Sequence, residues 1–256
     1  MVINFWQIGL LFGTGLVAGF VDSIAGGGGL ITLPVLLSTG IDPHVALGTN
    51  KLQSTFGSGS ATGHHLRAGS AKWSECRRGF LFTFVGAMLG SLAVQLFDPN
   101  LLKRFIPVML LLVALYVFFK PKFGEQDIHP RMTPGRFDLI FCVGIGFYDG
   151  FFGPGTGTFF TMAFALGLGF NLIKATAHTK VMNFASNLAS LILFLSFKQV
   201  WFAAGFTMGV GQWIGARLGS RMVLRGGANF IRPMLITVVI AISSKLLWNV
   251  YGGPAK

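Results

Sequence analysis

Residues 19–28, GFVDSIAGGG, return later in the chain as residues 146–155, GFYDGFFGPG. Two further stretches repeat in the same order: ALGTNK (46–51) with ATAHTK (175–180), and GAMLGS (86–91) with GARLGS (215–220). A twofold repeat of apolar segments, each interrupted by glycines at a matched position, is typical of secondary transporters. The repeat therefore predicts a class of protein and also the place where a substrate binds.

The composition predicts a membrane protein. Hydrophobic residues make up 52% of the chain and charged residues 11%, and the mean hydropathy is +0.67. Soluble proteins carry about 25% charged residues. The net charge of +12 comes from basic residues in short loops between apolar runs, which indicates membrane topology and not nucleic-acid binding. The two cysteines, Cys76 and Cys142, have no metal-ligand spacing, and no motif predicts a metal or a cofactor.

The apolar runs form two sets of five. They cover 3–21, 29–41, 44–63, 79–97 and 104–119 in the first half, and 137–152, 157–170, 172–196, 200–216 and 231–250 in the second. The second run of each half is shorter than the roughly 20 residues that a spanning helix needs. Each of these short runs follows a glycine-rich break, so we expect a half-helix or part of a discontinuous helix.

The number of crossings decides how the two halves are related. Five crossings in each half make the repeats inverted, whereas four make them parallel. The positive-inside rule favours five, because the basic clusters around 64–78 and 217–232 then share one side. We therefore predict an all-α polytopic membrane protein of two five-segment inverted repeats, 1–120 and 137–256, with a cytoplasmic linker over 121–136.

The glycine-rich breaks are the predicted anion site. Glycine lets the backbone turn tightly and approach a ligand closely. The first turn of the helix that follows presents unpaired N–H groups and the positive end of the helix dipole, which suits an anion. The alternative is that these glycines only permit close helix packing.

Lys51 and Lys180 form a matched basic pair inside apolar runs. Such a lysine can extend to the lipid headgroups, but the polar residues around both make a lipid-facing position costly. We therefore expect these faces to point inward. The residues predicted to bind the substrate are Gly26, Gly27, Gly28, Gly29, Asn50, Lys51, Gln53, Gly153, Gly155, Thr156, Thr179, Lys180 and Asn183.

Asp22 and Asp149 are the acidic residues that fall inside the apolar pattern, at equivalent positions of the repeat. An ionisable residue in a membrane segment is by default a functional hypothesis. Each precedes a glycine turn, so it either caps the following half-helix or takes part in proton coupling, and the two roles are compatible. His178 is a third predicted coupling residue, with an interhelical hydrogen bond as the alternative.

The pattern Gly19-Phe20-x-Asp22, followed by Gly26-Gly27-Gly28 and by Gly48-Thr49-Asn50-Lys51, resembles the TauE/SafE family, also called the toluene sulfonate uptake permease family. The likeness covers the whole chain, although the second half has His178-Thr179-Lys180 in place of Gly-Thr-Asn-Lys. The resemblance implies transport of sulfur-containing anions, such as sulfite or organosulfonates, across a bacterial inner membrane.

We therefore predict a secondary transporter, not an enzyme, with a small sulfur oxyanion as its substrate and the lipid bilayer as its surroundings. Anion uptake against a negative interior costs about 2.3 kcal/mol per charge per 100 mV, which favours coupling to protons. The alternatives are an anion channel, an intramembrane enzyme and a non-transporting scaffold. The sequence has no catalytic triad or paired acid cluster in its apolar runs, and a scaffold leaves the repeated lysines and aspartates unexplained.

Overall fold

The computed structural model describes residues 5–119 and 129–223, and no β-strand occurs in these two ranges. In chain order the helices are α1 (Phe5–Ala25), α2 (Gly29–Ser38), α3 (Pro43–Arg67), α4 (Trp73–Val94), α5 (Pro99–Phe119), α6 (Pro134–Phe137), α7 (Val143–Phe151), α8 (Thr156–Gly167), α9 (Leu172–Ser196) and α10 (Phe202–Val223). A π-helical turn (Asp138–Cys142) joins α6 to α7. The predicted segment 231–250 and the linker residues 121–128 lie outside the described residues.

The described helices match the predicted apolar runs, including the two short ones. Helices α2 and α8 have 10 and 12 residues, whereas α3 and α9 have 25 each. Both long helices begin with a side-chain cap at equivalent positions of the repeat. Asp42 accepts a hydrogen bond from the backbone of His44, and Asn171 accepts one from that of Lys174.

The surface of the described part is suited to lipid. Helical stretches over Trp6–Ile24, Trp73–Val94 and Pro99–Tyr116 are long and apolar enough to cross a bilayer. On these helices, large apolar side chains such as Leu81 and Leu112 are more than half exposed. Exposed apolar surface on this scale is favourable in contact with lipid and unfavourable in contact with water. The prediction of a polytopic membrane protein is therefore confirmed.

The first helix of each half packs against the fourth helix of the other half. Helix α1 runs along α10, and α7 runs along α4. Glycines allow this close approach, because a Cβ atom on Gly90 would lie 2.0 Å from the carbonyl oxygen of Phe147, and one on Gly215 would lie 2.0 Å from that of Leu16. Gly90 ends the motif Gly86-x-x-x-Gly90 and Gly215 begins the motif Gly215-x-x-x-Gly219, so both motifs are sites of close helix packing.

Helices α3 and α9 cross at the centre and run antiparallel. Thr62 on α3 donates to the carbonyl oxygen of Lys180 at 2.8 Å, and Asn187 on α9 contacts Ser58 at 3.4 Å. Residue numbers on α9 therefore decrease as the contacting residue numbers on α3 increase, which means that the two helices run in opposite directions. This crossing brings the polar faces of both helices toward the same central region.

Candidate functional site

The two glycine-rich breaks form tight turns before α2 and α8. Gly26 and Gly27 in the first turn have φ angles of 72° and 101°, and Gly153 and Gly155 in the second have 98° and 86°. Residues with a side chain rarely adopt this left-handed region. The turns therefore need glycine for their backbone conformation, and not only for helix packing.

The two turns touch each other backbone to backbone. A Cβ atom on Gly26 would lie 2.7 Å from the backbone nitrogen of Thr158, and one on Gly157 would lie 3.1 Å from the Cα atom of Gly26. Gly29, at the start of α2, is similarly close to Pro154 of the other turn. The N-terminal ends of α2 and α8 therefore meet at one place, between the two halves of the chain.

A small polar cavity of about 30 Å³ lies at this meeting point. That volume is enough for about one water molecule. Its walls come from both halves of the chain: Asp22, Gly27, Gly29, Asn50, Ser54, Asp149, Gly153, Gly155, Thr156, Gly157, Asn183 and Asn187. Seven of the predicted substrate-binding residues and both predicted aspartates are among them.

Each buried lysine reaches across to the aspartate of the other half. Lys51 Nζ lies 2.6 Å from Asp149 Oδ1 and also donates to the carbonyl oxygen of Asp149. Lys180 Nζ lies 3.0 Å from Asp22 Oδ2 and also donates to the carbonyl oxygen of Asp22. Both lysine side chains are 1% exposed, so neither extends to the lipid headgroups.

The two aspartates differ in their remaining partners. Asp22 Oδ1 accepts hydrogen bonds from the backbone N–H groups of Gly27 and Gly28, both at 3.0 Å. It therefore caps the turn before α2, which is one of the two roles considered for it. Asp149 instead accepts a hydrogen bond from Ser186 Oγ. No side chain caps the first helical turn of either α2 or α8.

A layer of polar side chains supports the cavity behind α2 and α8. Asn50 Oδ1 accepts from Thr32 at 2.5 Å and from Gln53 Nε2 at 2.8 Å. In the second half, the hydroxyl groups of Thr161 and Thr179 lie 3.2 Å apart. Thr179 occupies the position that Asn50 has in the repeat, so both halves tie the half-helix to its long neighbour in the same way.

Two buried amide oxygens at the site have no hydrogen-bond partner within the described residues. They are Gln53 Oε1, on a side chain that is fully buried, and Asn183 Oδ1, on a side chain that lines the cavity. Buried polar groups are normally paired with protein or ordered water. Only Asn183 lines the cavity, so its Oδ1 atom is an unpaired acceptor in the cavity wall, whereas Gln53 lies behind it.

His178 does not line this cavity. Its Nε2 atom is 3.5 Å from Glu75 Oε2, its Nδ1 atom is 2.9 Å from the carbonyl oxygen of Lys174, and its ring packs against Phe164 and Phe170. The structure thus brings together Asp22 and Asp149 but not the third predicted coupling residue. The interhelical contact considered for His178 is present as its pairing with Glu75.

The sequence reasoning omitted several residues from the site. Ser54, Gly157 and Asn187 line the cavity, and Ser186 bonds to Asp149. Ser186 and Asn187 lie three and four positions after Asn183, so helical spacing from a predicted residue could have found them. Among the described residues, no cluster of three or more His, Cys, Asp or Glu side chains could hold a metal ion.

Several known proteins resemble this chain over nearly its whole length. The profile of the family described as Sulfite exporter TauE/SafE matches residues 11–246. The chain is 46% identical over 245 residues to the probable membrane transporter protein YfcA of Escherichia coli (strain K12), which covers 96% of this chain and 91% of that protein. It is 44% identical to a probable membrane transporter protein of Haemophilus influenzae, over 97% of this chain and 98% of that protein.

A more distant relative is the probable membrane transporter protein YunE of Bacillus subtilis, at 24% identity over 92% of this chain and 95% of that protein. No solved structure gives a significant match. The family profile and the first two relatives each cover nearly the whole chain, so the likeness is not confined to one motif. The chain therefore belongs to the TauE/SafE family of membrane transporters.

Proposed function

We propose that the protein is a secondary transporter that moves a small sulfur-containing anion, sulfite or a sulfonate, through the central cavity. The observation that carries this proposal is the pair of crosswise charge contacts, Lys51 with Asp149 and Lys180 with Asp22. They place two buried cations beside two helix N-termini, and both features attract an anion. The matched family is described as a sulfite exporter family, which supports this class of substrate.

The charge pairs also suggest how transport is coupled to protons. Each lysine is already paired with an aspartate carboxylate, so an entering anion must displace that carboxylate before it can bind the lysine. Protonation of Asp149 removes the charge that holds Lys51, and the lysine becomes available to the substrate. A singly charged anion, such as hydrogensulfite or a sulfonate, and a proton then bind together without changing the net charge of the site, which avoids the cost of moving a charge across the membrane potential. The direction of transport follows the combined gradients.

We infer that the two halves, 1–120 and 137–256, are inverted repeats in a bacterial inner membrane, with the linker over 121–136 in the cytoplasm. Helices α3 and α9 are equivalent in the repeat, because they carry Lys51 and Lys180. They run in opposite directions where they cross, as equivalent helices of inverted repeats do, which supports this inference. The ends of α3 and α10 also lie together, since Arg67 and Arg221 line one groove. Both predicted basic clusters therefore begin at the same end, as an inside location requires.

The first experiment is a thermal-shift titration of the purified protein with sulfite, an alkyl sulfonate, an aryl sulfonate, sulfate and a carboxylate. We expect stabilisation by sulfite or a sulfonate, and none in Lys51→Gln or Lys180→Gln. Lys198→Gln, which removes an exposed lysine between α9 and α10, is the control and should bind as the wild type does. Equal stabilisation by all five anions would contradict the assigned substrate class.

Transport assays in liposomes separate the transporter from an anion channel. A proton-coupled transporter shows saturable sulfite flux that an imposed pH gradient accelerates. Asp149→Asn should transport without this acceleration. Flux that rises linearly with sulfite concentration and ignores the pH gradient would favour the channel.

A further inference from the structure

A second and larger cavity lies between α3 and α10, with a volume of about 480 Å³. It shares no lining residue with the central cavity. We call it the α3–α10 groove, and the residues that matter for its chemistry are Phe56, Ser60, Arg67, Trp213, Arg217 and Arg221.

The groove is apolar at one end and basic at the other. On α10, Trp213, Arg217 and Arg221 follow one another at intervals of four residues, so they share one helix face over about 12 Å. On α3, Phe56 lies on the apolar side and Arg67 on the basic side.

Local contacts hold the walls of the groove together. Ser60 Oγ donates to the carbonyl oxygen of Trp213 at 3.3 Å, which ties α3 to α10. The guanidinium carbon of Arg217 lies 5.8 Å from the centre of the Trp213 ring, within the range of a cation–π contact. The aromatic and basic parts of the groove are therefore continuous.

The positive charge of the groove is not balanced within the described part of the chain. None of Arg67, Arg217 and Arg221 has an ion pair with another described residue, and no acidic residue is among those that line the groove. All three arginines are exposed. Three unpaired guanidinium groups around one cavity favour an anionic group with several acceptor oxygens.

The repeat shows that the fold does not require these arginines. The equivalent positions on α4 are Phe84 for Trp213, Met88 for Arg217 and Leu92 for Arg221, so the matching face is wholly apolar. Basic residues near the inner ends of helices are expected from the positive-inside rule. That rule does not demand that they line a groove whose other end is aromatic.

We propose that the α3–α10 groove binds an anionic phospholipid, with the lipid phosphate on the arginines and an acyl chain along Phe56 and Trp213. The aromatic end matches a hydrocarbon chain, and the basic end matches a phosphodiester, which arginine contacts through paired N–H groups. Basic pockets between transmembrane helices bind anionic lipid headgroups in the same manner. The proposal does not depend on what the central cavity transports.

The test compares lipids on the full-length protein by native mass spectrometry, with phosphatidylglycerol as the anionic lipid and phosphatidylcholine as the reference. The wild type should retain phosphatidylglycerol preferentially. Each of Arg67→Gln, Arg217→Gln and Arg221→Gln should weaken binding about fivefold, and the triple variant about 100-fold. Arg77→Gln, which removes an exposed arginine near the start of α4 that does not line the groove, is the matched control and should leave binding unchanged.

Retention of the phosphatidylglycerol preference in the triple variant would overturn the proposal. Glycerol phosphate and sulfite, which lack an acyl chain, should not displace the lipid at concentrations equal to its own. If they do, the groove is an entrance for free anions and the proposal is wrong. Sulfite binding by the triple variant in phosphatidylcholine bilayers should remain normal, which separates failure of this proposal from failure of the proposed transport function.

Discussion

Lys51 and Asp149 illustrate what a single buried residue contributes to this protein. Their side chains are 1% and 5% exposed, and the contact joins residues from opposite halves of the chain. A buried ion pair adds little net stability, because the removal of two charges from water offsets their attraction. The loss of one partner, however, leaves an uncompensated charge inside the protein.

We expect Lys51→Gln alone and Asp149→Asn alone each to lower the free energy of unfolding by about 3–5 kcal/mol. The double variant should lose clearly less than the sum, because it leaves no unpaired charge. Denaturation of the four proteins in one detergent measures this cycle. Additive losses would mean that the two side chains do not interact.

Sequence reasoning at the residue scale marked the charged residues that the structure brings together, but not their pairing. The repeat marked Lys51, Lys180, Asp22 and Asp149 as special because charges inside apolar runs are rare. It could not show that each lysine bonds to the other half, because spacing along a helix says nothing about contacts between distant helices. Helical spacing from Asn183 places Ser186 on the same face, but it cannot show that this serine bonds to Asp149.

At the scale of elements, the two half-helices begin at the same place but are held differently. The turn before α2 is capped by Asp22, whereas the turn before α8 is tied by Tyr148, whose hydroxyl donates to the carbonyl oxygen of Pro154 at 2.7 Å. The sequence predicted the short helices from their length and the preceding glycines. It left the capping role of the aspartates open. In the structure Asp22 holds the turn before α2, and neither half-helix has a side-chain cap on its first turn.

Two substitutions of Asp22 separate its cap from its charge. Asp22→Asn keeps an oxygen that accepts from Gly27 and Gly28, while Asp22→Ala does not, and both leave Lys180 without its carboxylate partner. We expect Asp22→Ala to be less stable than Asp22→Asn by about 0.5–2 kcal/mol. Equal stability in thermal unfolding would show that the cap contributes nothing.

The contact between the two turns is tested by comparing Gly26→Ala with Gly40→Ala. Both glycines have similar positive φ angles, 72° and 79°, but a Cβ atom on Gly40 meets no atom within 4 Å, whereas one on Gly26 meets the start of α8. Gly40→Ala should cost about 1–2 kcal/mol from backbone strain alone. Gly26→Ala should cost more and abolish sulfite binding. Normal binding in Gly26→Ala would remove the turn from the site.

At the scale of the whole molecule, the two halves interlock and neither forms a separate unit. Helix α1 packs against α10, α7 packs against α4, and α3 crosses α9. The apolar runs were enough to predict where the described helices lie in the chain, apart from the short α6. They were not enough to predict which helices pair, because close packing depends on where glycines such as Gly90 and Gly215 meet a neighbouring backbone.

The predicted topology can be tested with single cysteines. Cys76 and Cys142 are buried, so a membrane-impermeant thiol reagent should give little background. Arg67→Cys and Arg221→Cys should react from one side of the membrane, and Lys198→Cys from the other. Labelling of all three from the same side would contradict the inverted arrangement.

The crosswise lysine–aspartate pairs have a consequence for how the protein is made. Asp149 follows Lys51 by 98 residues, and Lys180 follows Asp22 by 158. The first half therefore leaves the ribosome and enters the bilayer before either of its buried charges can meet a partner. Lys51 and Asp22 must remain at the edge of the nascent helices, in contact with water or the insertion machinery, until the second half arrives. The helices of the second half thus supply the partners for the buried charges of the first half. A chain truncated after its first repeat should therefore be a substrate for membrane quality control.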